Sequence, residues 1–74
     1  MPKFPVVTAK ECMKALERAG FYLDRIRGSH HHYRHPDKTG TVTVAMHRGT
    51  VKRKTLASII RQAGLSIEQF SDLL

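Results

Sequence analysis

The stretch TVTVAMH, Thr41–His47, alternates strictly between two kinds of residue. Val42, Val44 and Met46 share one face of a strand, and Thr41, Thr43, Ala45 and His47 share the other. Such a strand has one dry face and one wet face, so its sheet needs cover on one side only. That cover has to come from elsewhere in a chain of 74 residues, a size that buries roughly 60–65% of its unfolded surface. The chain therefore reads as one domain, residues 1–74, with room for a few elements around one core and one simple site.

Helical patterns stand on both sides of the strand region. In TAKECMKALERAG, Thr8 can cap a helix and Glu11 completes a capping box. Ala9, Cys12, Met13, Leu16 and Ala19 then fall on one face, and Gly20 ends the helix. Cys12 on that face reads as core packing rather than as a nucleophile. In TLASIIRQAG, Leu56, Ile59, Ile60 and Ala63 form a second stripe ended by Gly64. Ser66 and Gln69 form another capping box, which predicts a short third helix to about Leu73, packed down by Ile67, Phe70 and Leu74.

Two more strands precede the alternating one. In FYLDRIR, Phe21 and Leu23 share a face but Ile26 has the opposite parity. A bulge or an early strand end near Arg25 would reconcile them. Gly28 and Ser29 make a tight turn, and HHHYRH forms the next strand, closed by Pro36. PDKTG is a turn, and RGTVKRK a basic loop before the second helix. Short turns imply an antiparallel meander. The expected fold is α+β, an αβββα(α) sandwich with helices on one face of a three-stranded sheet. Double-stranded-RNA-binding domains share this order.

Charge narrows the function. The chain carries thirteen Lys and Arg against six Asp and Glu, a net +7. Between Arg25 and Arg61 stand nine bases (Arg25, Arg27, Arg34, Lys38, Arg48, Lys52, Arg53, Lys54 and Arg61) and one acid, Asp37. A basic face on a small domain is the electrostatic footprint of a polyanion, nucleic acid first and an acidic protein second. The alternative is a solvated charged surface with no partner. No apolar run is long enough for a membrane span, and MPKFPVV is too short and polar for a signal peptide. A single cysteine excludes an internal disulfide, which points to the reducing cytoplasm.

Four of the five histidines lie in RGSHHHYRHP, Arg27–Pro36. Strand alternation splits them: His30, His32 and Arg34 point one way, and His31, Tyr33 and His35 the other. Three readings stand open. A metal site would need further ligands, such as Asp37 or His47. A polar strand facing solvent needs no task. Acid–base chemistry on RNA needs only groups to move protons at the 2′-hydroxyl and the leaving 5′-oxygen, with cations to neutralise the phosphorane. Antiparallel pairing brings His47 toward the start of the second strand. Lys52, Arg53 and Lys54 sit at the start of the second helix, where cations oppose the helix dipole but free N–H groups favour an anion.

ALERAGF, RGSHHHYRHP, VTVAMH and TLASIIRQAGLSIEQF, in this order, resemble the HicA (YcfA-like) family of mRNA interferase toxins across nearly the whole chain. The resemblance implies a fold like that of double-stranded-RNA-binding domains and metal-independent cleavage of mRNA without a cofactor. It also implies neutralisation by a HicB-type antitoxin. The family's catalytic histidine follows the glycine-serine pair, a position held here by His30. Arg27, Ser29, His32, Arg34, His47, Lys52, Arg53 and Lys54 are the expected RNA-binding residues, and Tyr33 matches a structural aromatic position. The family often has Pro where Ala45 stands and Gly where Lys54 stands, which bears on the shape of the phosphate site.

Overall fold

A computed structural model describes residues 4–74. The elements follow the order α1 (Ala9–Arg18), β1 (Tyr22–Arg27), β2 (His30–Arg34), β3 (Val42–Ala45), α2 (Arg53–Ala63) and α3 (Ile67–Asp72). The fold is α+β, an αβββα(α) arrangement around an open sheet. Part of the N-terminal MPKFPVV reading falls on residues 1–3, which lie outside the described residues. Among the described residues no helix is long and apolar enough to cross a membrane.

Local chemistry sets the helix ends. The Glu11 backbone N–H donates to Thr8 Oγ1 at 3.2 Å, and the Thr8 N–H donates to Glu11 Oε1 at 2.8 Å. Ser66 and Gln69 repeat this box at α3, with the Ser66 N–H donating at 2.8 Å and the Gln69 N–H at 3.0 Å. Each N-cap side chain contributes about 1 kcal/mol. The second helix starts two residues before the expected Thr55. Its N-cap is Lys52, in extended backbone, and no side chain caps it.

The sheet order is β1-β2-β3, with both pairings antiparallel. Val42, Val44 and Tyr33 are buried on one face, and Leu16, Leu56, Ile59 and Phe70 from the three helices join them in the core. Burying each such side chain contributes roughly 1.5–3 kcal/mol. The third strand ends at Ala45 rather than His47, because Ala45 pairs with His30, the first residue of β2. Beyond that point there is no strand left to pair with. The second strand likewise ends at Arg34, before His35. Leu73, rather than Leu74, packs against the core. Leu73 lies one helical step from Phe70, and its carbonyl accepts from Arg18 Nη1 at 2.6 Å; Leu74 is half-exposed.

The parity conflict in the first strand is resolved by a bulge. Leu23 pairs with Tyr33, and the next partner pair is Arg25 with His32. Asp24 is therefore the extra residue. Phe21 is buried just before the strand instead of within it. Leu23 and Ile26 both end on the helix side, opposite Tyr33 and His31. They stay 43% and 53% exposed, because the helices lie over β3 and leave this edge strand open.

Candidate nucleic-acid interface

The side of the sheet away from the helices collects the charged groups. Arg27 pairs with His30, Arg25 with His32, and Tyr22 with Arg34. Directly paired residues on antiparallel strands project to the same face, with Cβ atoms about 4.5–5.5 Å apart. Three arginines and two histidines thus share one open surface. From the other flank β3 sets Ala45 opposite His30 and Thr43 opposite His32.

The bulge builds this surface. Without the extra residue, Leu23, Arg25 and Arg27 would share a face. Asp24 shifts the phase, sending Leu23 to the helix side and Arg25 and Arg27 to the open side. Arg25 was not among the expected RNA contacts. The conflict between Leu23 and Ile26 asks for a bulge or a strand end near Arg25, and pairing with β2 makes Asp24 the extra residue, which turns Arg25 over.

The histidines have separate tasks. His31 lies on the helix side, half-buried, with Nδ1 3.4 Å from the Ser29 carbonyl. His35 Nδ1 accepts from the Asp37 backbone N–H at 3.0 Å, and its ring meets Phe21 edge-on at 5.0 Å. It is a structural residue at the exit from β2. His47 Nδ1 lies 3.0 Å from the Arg48 carbonyl. His32 is half-buried, with Nδ1 2.9 Å from Thr43 Oγ1. His30 is exposed, and among the described residues no hydrogen bond engages its ring. The His30 and His32 rings stand edge-on with centroids 6.5 Å apart.

The other expected contacts are dispersed. Ser29 lies in the turn, where its carbonyl accepts from the Met46 N–H at 2.7 Å. That bond holds the residue before His47 against the head of β2. Lys52, Arg53 and Lys54 are exposed at the start of α2, outside the β1–β2 hairpin. The Arg53 guanidinium lies 4.9 Å from the Phe4 ring centroid. Lys38, part of the basic segment, is structural. Its Nζ donates to the Ala63 carbonyl at 2.8 Å and lies 5.4 Å from the Phe21 ring centroid.

Two groups outside this surface have shifted acidities. Burial pushes the Cys12 thiol up to about 11, which fits a packing role rather than a nucleophilic one. Burial also raises the Tyr33 phenol, with lesser contributions from Glu17 and Cys12. Among the described residues no three His, Cys, Asp or Glu side chains converge as a metal site.

Comparison with known proteins places this arrangement. Residues 9–65 match the family model described as the HicA toxin of bacterial toxin–antitoxin systems. The match runs from the start of α1 past the end of α2, so the chain belongs to the HicA toxin family. It is a toxin of a toxin–antitoxin system, and the family implies an antitoxin partner. Comparison with curated proteins gave no match.

Proposed function

We propose that this HicA-family toxin is a metal-independent endoribonuclease that cleaves mRNA, with His30 as general acid or base, and that a HicB-type antitoxin restrains it. The observation that carries the reading is His30 itself. Its imidazole has no hydrogen-bond partner among the described residues and stands on an open sheet face beside Arg27, with the small Ala45 on its other flank. An imidazole titrates near neutral pH and can move a proton to or from a reacting oxygen. Arginines beside it supply the charge that a phosphorane needs.

Arg25, Arg27 and Arg34 are proposed to hold RNA phosphates across the sheet face. Ser29, His32, His47 and the α2 start (Lys52, Arg53 and Lys54) extend the binding surface. The helix start lacks a capping side chain and has no acidic residue in its first turn. Cations there weaken the helix slightly but favour an anion.

The test is RNA cleavage by the His30→Ala variant, with its fold checked by circular dichroism. The expected loss is about 10²–10⁴-fold, the usual contribution of a positioned acid or base. Cleavage by the parent should survive EDTA. Full activity in the variant would end the assignment of His30. RNA binding without cleavage at any pH from about 5 to 8 would favour a non-catalytic RNA-binding module.

A further inference from the structure

We propose that His32 is a second catalytic residue, and that His30 and His32 divide the two proton transfers of RNA cleavage between them. This deepens the RNA-cleaving reading and rests on it. The two imidazoles alternate along β2 to the same open face, with ring centroids 6.5 Å apart. They are held differently. His32 is anchored through Nδ1 to Thr43 Oγ1 at 2.9 Å, which leaves Nε2 for another partner. His30 makes no such contact among the described residues.

Cleavage by the 2′-hydroxyl needs two proton-transfer groups at once. In-line displacement puts the entering and leaving oxygens on opposite sides of phosphorus. Each group must lie within about 2.6–3.2 Å of its oxygen, so the two rings must stand several ångströms apart. The 2′-oxygen–phosphorus bond forms as the 2′-hydroxyl proton passes to one imidazole. The phosphorus–5′-oxygen bond breaks as the other imidazole, protonated at the start, gives its proton to the leaving oxygen. The products are a 2′,3′-cyclic phosphate and a 5′-hydroxyl. One ring has gained a proton and the other has lost one, and exchange with solvent resets the pair. No co-reactant is consumed.

The surroundings suit this division. Opposite the two rings stand Arg25 and Arg27 from β1, with Arg34 next on the same face of β2; β3 contributes the uncharged Thr43 and Ala45. The cations favour a phosphate across the pair and its developing negative charge. The second imidazole distinguishes this surface from one that merely binds, since the arginines alone would hold phosphate.

The experiment compares the parent, His30→Gln and His32→Asn on a labelled RNA oligonucleotide that the parent cleaves. Asparagine places a polar atom near the position of Nδ1, so it can keep the Thr43 contact while removing Nε2. The parent should show a bell-shaped rate profile between about pH 5 and 8, and His32→Asn should lose one limb and about 10²–10⁴-fold in rate, a loss larger than any accompanying change in RNA affinity. A substrate with sulfur in place of the leaving 5′-oxygen needs no acid. It should restore cleavage to only one of the two variants, which identifies the acid.

His32→Asn cleaving within about twofold of the parent, far below the usual acid–base contribution, would overturn the proposal and leave the RNA-cleaving reading standing. Failure of the sulfur substrate to restore either variant would also overturn it, because another group would then protonate the leaving oxygen. A parent that cleaves no RNA at all would overturn both readings.

Discussion

Replacing Arg25 with glutamine tests whether the bulge at Asp24 builds an RNA-binding face. The variant removes one charge opposite His32 and leaves the strand pairing intact. It is best made in the His30→Ala background, so that binding is measured without cleavage. A single-stranded RNA contact changes the slope of log K against log salt by about 0.7 per neutralised phosphate. Three arginines line the face, which gives a slope of about −2 from them, and losing Arg25 should reduce it by about 0.7. Binding should weaken by up to about 1 kcal/mol, the upper range for an exposed ion contact, or about fivefold in Kd. Fluorescence anisotropy of a labelled RNA between about 50 and 400 mM KCl measures both, within the range where counterion release dominates. Lys14→Gln is the control: it removes the same charge from an exposed position on α1, which packs on the opposite side of the sheet. Its slope should match the parent. Equal losses from Arg25→Gln and Lys14→Gln would mean that net charge, and not the open face, attracts RNA.

Two further predictions concern stability. Gly20 has φ +95°, and a Cβ there would meet His35 Nε2 at 2.9 Å; Gly40 has φ +86° with nothing within 4 Å. Alanine should cost about 1–2 kcal/mol at either site for the left-handed backbone and roughly 1 kcal/mol more at Gly20 for displacing the His35 ring. The extra loss should lower Tm by about 4–8 °C relative to Gly40→Ala, and identical melting of the two variants would discard the His35 contact. The second prediction is pH dependence above neutrality. Burial raises the Cys12 thiol from 9.0 to about 11 in the folded chain. The folded state then keeps a proton that the unfolded state releases, so stability is full below pH 9 and falls as pH rises toward about 11. Tyr33, raised in the same direction, adds to the fall. Urea midpoints across that window should decline in the parent and less steeply in Cys12→Ala, and parallel declines would remove Cys12 as a cause.

Much of the fold was legible because its signals are local. Thr8 with Glu11 and Ser66 with Gln69 announce two helix starts within four residues each. The TVTV alternation fixes which face of β3 is dry. Where the structure departs from the sequence pattern, a distant partner decides the outcome. The alternation runs on to His47, but β3 stops at Ala45 because β2 begins at the residue opposite it. The start of α2 moved back to Arg53 because extended backbone at Lys52, and not a capping side chain, sets its boundary.

The layout of the candidate site was legible along β2 and less so along β1. Strand period alone separates His30 and His32 from His31 and Tyr33. The conflict between Leu23 and Ile26 calls for a bulge or an early strand end near Arg25, but the side on which Arg25 falls depends on which residue is extra. Pairing with β2 selects Asp24. Lys38 shows the converse. Its charge counted toward a basic footprint, while its reach to the end of α2 depends on tertiary contact.

The central elements of the proposed site, Arg25, Arg27, His30, His32 and Arg34, all belong to one hairpin closed by the Gly28-Ser29 turn. Contacts between near neighbours in sequence close small loops and form quickly, whereas distant contacts wait for longer searches. The relative placement of these five residues is therefore set by contacts within one short ribbon rather than by the docking of the helices. Core substitutions in α2 or α3 would change how long that ribbon stays folded more than how its side chains are spaced. An extra residue in the turn would do the opposite. It would slip the register and separate the arginines from the histidines in a chain whose helices could still pack.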